Sequence, residues 1–444
     1  MPYTAPTLGQ AATELASRLN DQGNIHWLVE ELHIYIQESL RVWNAWTSHW
    51  RDQGSFVTTM GNPFYDLPTE IPTLRRQSVT NWDLVETIQY HLLEPPTPSG
   101  WTGTDQLTLE QISDAIQRRR DLFLQETGAV LTRTETVYAG PPASGRLDLD
   151  EEVLTVRRAA WRPTATQLLR PLRRTDEWGT NHFAPAWVSS TQPPGAYSTS
   201  VTPPLTLQLI PPSSSPGTLD LVAVQRGVTL VPAVESALGI PDDWAWVVKW
   251  GALADLLHGD GLALDPQRAT YCEARWQQGV DAAKAASVVL AGRINNVTCR
   301  IGSLSDADSY SPLWQLVSGT PDKLLLAGQT LVAIWPPPGA VGGQWTITLD
   351  LIRNAPIPTA AGDVLEVGAD LYDTILDYAQ HLALFKEGPG ALQLSQGLLD
   401  RVLRVAGVNL ELQQGSQPSR APLLGQQRDD EYALARREAV VGIP

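Results

Sequence analysis

Apolar positions in the first fifty residues recur at helical spacing. Leu8, Ala12, Leu15 and Leu19 share one face, and a polar break follows at Asn20-Asp21-Gln22-Gly23-Asn24. Leu28, Leu32, Ile36, Leu40 and Trp43 then recur in steps of four, four, four and three, the spacing of a buried helix face. The pattern predicts two helices, the second with Asn24 as its N-cap and with Trp46 and Trp50 extending its apolar side. Next comes a link punctuated by Gly and Pro that contains Phe56, Phe64 and Tyr65. Beyond it, Leu84, Ile88 and Leu92 mark a third helix that opens at 79–83 and stops before Pro95-Pro96. Thr108-Leu109-Glu110-Gln111 reads as a capping box. The helix it starts carries Leu109, Ile112, Ile116 and Phe123, turns Arg118, Arg119 and Arg120 to solvent or a partner, and ends at Gly128. Residues 1–128 thus read as an N-terminal helical unit.

At residue 129 the period changes. Arg146 to Val156 alternates Leu147 and Leu149 with acids, as a half-buried strand does. Leu205, Leu207 and Leu209 alternate with Thr and Gln before PPSSSPG turns the chain into Leu219 to Val224, the pattern of a hairpin. Trp178 to Pro204, rich in Pro, Ser, Thr and Trp, reads as a long ordered loop or a β-edge. Residues 129–239 therefore form a β-rich insertion.

A helical unit over 240–300 follows, opened by PDDWAWVVKWGALADLLHGDG and continued from the cap Asp265-Pro266 through Tyr271, Trp276 and Val280 to about Ala286. ADLYDTILDYAQHLALFKEGPG repeats its character. Trp244 falls on Tyr372 and Trp250 on Tyr378 at a constant offset of 128, the difference between 372 and 244 and between 378 and 250. Each copy follows a Pro-rich hairpin pattern, the later one formed by Leu331 to Trp335 and Trp345 to Ile352. This predicts a duplicated module of a β-hairpin plus helices, with its second copy at 301–410, including Ala369 to Lys386 and Leu398 to Val405. A repeat of this kind predicts that Trp244 and Trp250 are packing positions, largely buried. Residues 411–444, with little apolar periodicity from Gln413 on, read as an extended C-terminal arm lying against a neighbouring subunit.

Composition narrows the class. The 444 residues, 43% hydrophobic and 18% charged, describe a globular chain of two or three domains. No apolar run approaches a membrane span, and MPYTAPTLGQ lacks the basic and apolar regions of a signal peptide, so assembly in a cytoplasm is expected. A formal charge of −16 argues against sequence-tolerant nucleic-acid binding and suits a wall past which DNA slides. Cys272 and Cys299 are too few for a disulfide framework or a four-cysteine zinc site. The 16 Trp, against 5 Phe and 2 Met, fit helix seams and subunit interfaces, or a carbohydrate platform.

Candidate chemistry is sparse. No nucleophile elbow, P-loop, dinucleotide fingerprint or recognisable Cys/His pair is present. His26, Glu30 and His33 share helical spacing without a metalloprotease pattern. The acidic groups Asp148, Asp150, Glu151, Glu152 and Asp306, Asp308 lack the full calcium-loop set, the second reading better as a helix cap or Asx turn. His258 and His381 lie in the repeated helices at positions that do not superimpose, and read as helix-end or surface residues. No catalytic, cofactor-binding or metal-ligating residue is therefore expected. Two basic clusters, Arg118-Arg119-Arg120 and Arg170, Arg173, Arg174, are candidates for contact with an acidic partner face or DNA phosphates.

HWLVEELHIYIQESLRVWNAWT resembles the aromatic-rich opening helix of head-to-tail adaptor (connector) proteins of tailed bacteriophages and related neck proteins. The runs LTVRR, DEW, PPGAYS, LTLQLIPP, GTLDLVAV and IPDDWAWVVKWGALADLL resemble their β-insertion and ring-packing helices, so the likeness covers most of residues 8–290. The matching positions of the first motif are Trp27, Glu31, Tyr35, Ile36, Leu40, Trp43 and Asn44, packing or helix-surface residues. The resemblance implies a ring, usually dodecameric, docked beneath a portal protein, with a DNA channel and a β part directed to the tail. A second module and a long tail follow where simple adaptors end.

The expectation is an α+β virion protein: an adaptor-type helical bundle with a β-rich insertion and a duplicated hairpin-plus-helices module. It would be non-enzymatic, forming a homo-oligomeric ring at the head–tail junction between portal and tail nozzle or other tail proteins, and passing double-stranded DNA without reading it. The alternatives are a tail nozzle or tube component, a Trp-rich glycan-binding tail receptor, and a hydrolase with two unrecognised carboxylates. The structural and interface candidates are Trp27, Tyr35, Trp43, Arg118, Arg119, Arg120, Trp244, Trp250, Tyr372 and Tyr378.

Overall fold

The computed structural model describes residues 4–72, 74, 77–93, 107–138, 145–163, 169–183, 185–190, 192–200, 205–232, 234–259, 263–311, 314–315, 318–339 and 344–415. The chain opens with α1 (Leu8–Arg18), α2 (Val29–Thr47), β1 (Arg51–Val57), β2 (Phe64–Asp66), α3 (Leu67–Glu70), α4 (Asn81–His91) and α5 (Leu109–Thr127). Its middle supplies β3 (Thr132–Tyr138), β4 (Arg146–Asp148), β5 (Val153–Arg162), β6 (Arg170–Arg174), α6 (Glu177–Phe183), β7 (Ala196–Thr199), β8 (Thr206–Ile210) and β9 (Gly217–Gln225). Then come α7 (Ala245–His258), α8 (Pro266–Ala285), β10 (Val289–Ile294), β11 (Val297–Thr298), β12 (Arg300–Ser303) and α9 (Leu304–Tyr310). The chain continues through β13 (Lys323–Ala327), β14 (Leu331–Trp335), β15 (Thr346–Ile352), α10 (Ala369–Phe385) and α11 (Pro389–Gly415). The fold is mixed α and β.

Three cores organise these elements. The largest is helical and collects the apolar faces of α1, α2, α4, α5, α7, α8, α10 and α11. A second lies between two four-stranded sheets, ordered β1-β15-β10-β11 and β12-β13-β14-β2. The third fills a seven-stranded sheet, ordered β3-β9-β5-β6-β7-β8-β4, with β6 and β7 its parallel pair. Two strands stitch the cores together through the period-two alternation of a strand. In β9, Leu219, Leu221 and Ala223 enter the third core while Val222 and Val224 enter the helical one. In β14, Leu331 and Ala333 enter the helical core while Val332 and Ile334 enter the second.

Local signals act as the sequence predicts at α5 and α8, and α4 carries a similar cap. Thr80 and Thr108 form capping boxes with Asp83 and Gln111, Asp265 caps α8 with Pro266 in its first turn, and Gly128 ends α5 in a left-handed conformation. Gly328 is also left-handed, and a Cβ there would stand 2.5 Å from the Gly128 carbonyl oxygen, so the turn between β13 and β14 requires glycine.

Several expectations are corrected. Residues 1–128 are not purely helical: the link after α2 forms β1, paired with β15, and β2, paired with β14. The partners lie about 300 and about 267 residues ahead in the chain, beyond the reach of a local pattern. The 240–300 unit likewise includes β10 and β11. Asn24 does not cap α2. It is left-handed, and the Asp21 carboxylate instead accepts the backbone N–H groups of Ile25, His26 and Trp27. Leu28, expected in the buried stripe, is the exposed N-cap residue. Arg146 to Val156 divides into β4 and the start of β5, with an Asx-type bond from Glu152 N–H to Asp150 between them. The 178–204 segment holds α6 and β7, and β7 lies inside the sheet.

Neither expected hairpin forms. β8 pairs with β7 and β4, whereas β9 pairs with β3 and β5. β14 and β15 belong to different sheets, and the hairpin of that region is β13–β14. Both expected turns are long and proline-rich, and proline supplies no N–H for a ladder. What recurs at the 128-residue offset is a pair of packed helices, α7 with α8 and α10 with α11, without the hairpin. Residues 411–415 of the expected arm continue α11, and the rest of it lies outside the described residues.

Candidate functional site

The candidate aromatics converge on α7. This helix is buried nearly all round, so its residues meet every neighbouring helix. Trp244 and Trp250 are both fully buried, as the repeat argument predicts. Trp244 donates its indole N–H to Gln329 (3.1 Å), whose amide in turn donates to the Ala283 carbonyl at the end of α8 (3.1 Å). Trp250 stacks on His91 (5.5 Å) and meets Phe385 and Tyr271 edge-on. Tyr378 is buried and accepts from Arg275 (2.7 Å), whose guanidinium also lies 5.0 Å from the Trp46 ring and 5.3 Å from Trp246. Trp43 is buried in the same core. Trp27 donates to the Ala383 carbonyl, and Tyr35 to Glu31. Tyr372 sits at the rim, half-buried, and donates to Glu14.

Around these rings runs a buried polar network that the sequence pattern did not reveal. The Lys249 ammonium, with no exposed surface, donates to both oxygens of Glu38 (2.5 and 2.7 Å) and to His91 Nε2 (3.1 Å). Burial lowers the Lys249 pKa and Glu38 opposes that fall. Burial, and then the nearby Lys249 charge, hold His91 well below the ordinary histidine range. One step along, Lys386 donates to Glu31 (2.9 Å). A lone lysine inside WAWVVKWGAL was the available signal, because an unpaired ammonium there would be prohibitively desolvated.

The network also holds groups that resemble catalytic parts. Tyr271 O–H meets His381 Nε2 (2.6 Å), and His381 Nδ1 meets Ser395 Oγ (2.8 Å), which donates to the Leu392 carbonyl. Burial lowers His381 to about 3. Burial also raises both thiols, Cys299 to about 11, so neither is a thiolate near neutral pH. Among the described residues no group of three or more His, Cys, Asp or Glu is placed to hold a metal ion. His26 pairs instead with Glu387, and Asp306 serves as the capping partner of Ser303.

The two arginine clusters differ from one another. Arg118 is exposed and forks onto Asp255, while Arg119 is largely covered, bridging Asp255 and Glu273 over the Trp276 ring. Arg120 is fully buried, donating to Asp121 and to the Gly227 and Val228 carbonyls. The expectation that all three face outward fails because 227–230 folds across that side of α5. Arg170, Arg173 and Arg174 are exposed along β6.

A cleft of about 490 Å³ opens between the ends of α5 and α8 and the β13–β14 turn. Gly128, Ala129, Ala283, Ala286, Gly302 and Gly328 give it small walls. Arg157 and Lys284 stand on its rim, Arg157 donating to the Gln125 carbonyl and Lys284 to Glu126. Among the fifteen described tryptophans ten are buried and only Trp178, on α6, is exposed. It stands on a helix rather than on the ordered loop or β-edge that the sequence predicts.

Among the described residues, no helix is long and apolar enough to cross a membrane. No protein-family model matches the chain, and no curated protein matches it.

Proposed function

We propose that this protein is a non-enzymatic virion subunit with an adaptor-type bundle. It assembles into a ring, most simply a dodecamer, at the head–tail junction of a tailed bacteriophage. It would sit below a portal protein and above a tail nozzle or other tail proteins, pass double-stranded DNA through its lumen, and be assembled in the host cytoplasm. The observation that best supports this reading is the place of the adaptor-like helix α2. Its Tyr35, Ile36, Leu40 and Trp43 lie at the centre of the helical core, where α7 and α10 meet it. A rigid helical body carrying β layers on shared strands suits a part that transmits load and conducts DNA. The net charge of −16 suits a lumen that DNA passes without adhering. A glycan platform has less support, since ten of fifteen described tryptophans are buried.

Negative-stain images of the purified full chain test the reading. Ring-shaped class averages with a central channel are expected, and a field of monomers at micromolar concentration, with and without a portal ring, would overturn it.

A further inference from the structure

We propose that Trp178 anchors one copy of this chain on another, its indole seated in the cleft between the ends of α5 and α8 of the second copy. The proposal rests on the self-assembly reading above and names the contact that reading needs.

Trp178 is 87% exposed, and among the described residues its indole N–H has no acceptor. The platform beneath it is nonetheless fixed. Asp176 accepts the Gly179 N–H, and Thr180 donates to the Asp176 carbonyl (2.8 Å). Trp187, buried, donates its indole N–H to Asn181 (2.7 Å), tying α6 to the turn at Trp187–Ser189. A large apolar ring held out from a rigid support loses little conformational freedom on docking. Such rings, with arginine, are the residues that most often dominate interface energies.

The cleft has the complementary shape and charge. Its volume falls in the range of roughly 300–1,000 Å³ typical of sites that enclose a small ligand, and its glycine and alanine walls leave a flat ring room to enter. Two cations, Arg157 and Lys284, line the cleft. They match the charge of Asp176, two residues before the anchor. Arg157 has reason to accept a carboxylate: burial and the neighbouring Arg174 charge lower its pKa, and its hydrogen bond among the described residues goes to a neutral carbonyl. Each copy carries one anchor and one socket, so the contact can repeat from copy to copy.

Mass photometry of full-length W178A, of A285W, which places an indole in the socket from an exposed position of the same chain, and of their mixture tests the contact. Wild type is expected to assemble and each variant alone to remain monomeric. The mixture should give a two-chain species, because each variant keeps the half the other lost. W178F should retain part of the assembly. If wild type assembles and both variants assemble equally well, the contact is overturned and the ring reading stands. If wild type remains monomeric, both fall. Glycan binding that disappears in W178A while assembly is unchanged would also overturn the contact and favour a sugar-stacking role.

Discussion

At Lys249 and again at Arg158 the chain buries a cation against carboxylates, and the two sites differ in how completely water is removed. Lys249 and Glu38 join α7 to α2 inside the helical core, with the ammonium fully enclosed and 4.1 Å from the Trp250 ring. Arg158 joins the seven-stranded sheet to the body. It forks onto Asp308 (2.6 and 3.0 Å), which also accepts from Trp314, while Arg133 binds Asp220 and covers the Phe64 ring. Asp308 keeps about a fifth of its side-chain surface exposed. An enclosed pair punishes the loss of either member, because the survivor is left charged in an apolar place; a partly wet pair lets water replace the missing partner. The helical body is therefore expected to behave as one locked unit, and the β-insertion as a layer that can loosen without unfolding it.

Replacing Lys249 with Met alone tests this hardest. A loss of about 3–5 kcal/mol in denaturant unfolding is expected from stranding Glu38, and E38L/K249M should recover most of it. A single variant that costs under about 1 kcal/mol would erase the contrast. Trp250→Ala should lose a comparable or slightly smaller amount, about 3–5 kcal/mol, by opening a cavity among His91, Tyr271 and Phe385. At the junction, Arg158→Ala should cost about 1.5–3 kcal/mol. It should also admit protease to the β-insertion first, leaving a helical fragment intact, and simultaneous loss of both parts would contradict the comparison.

Acid should act on the helical body through its buried histidines. Burial lowers His381 from 6.5 to about 3 and holds His91 below its ordinary value. The unfolded chain then binds more protons than the folded one between those values. Stability should be flat above about pH 6.5 and fall as the pH drops toward 3, and H381Q should shallow that slope. Smallest of all, the exposed fork of Arg118 on Asp255 should contribute at most about 1 kcal/mol.

Much of the helical body was legible because caps and four-residue steps act locally: Thr108, Asp265 and Gly128 behave as their sequence contexts predict. The strands were harder. GTLDLVAV and LVAIW are nearly continuous apolar runs, the mark of a strand buried on both faces, and they form the two strands shared between cores. A hairpin reading assigned each run to its neighbour in sequence, whereas β1 and β15 find one another across almost the whole body. Partners were equally out of reach at the buried network, since Glu38 and Lys249 lie 211 residues apart. Trp178 was visible as a residue, but its exposure depends on the Asp176 and Trp187 contacts that set α6.

Sedimentation velocity of the full chain at graded micromolar concentrations decides whether it closes into a ring. One discrete large species, near twelve chains, that keeps its size as concentration rises is expected. A single monomeric boundary throughout, or a size that grows without limit, would contradict it.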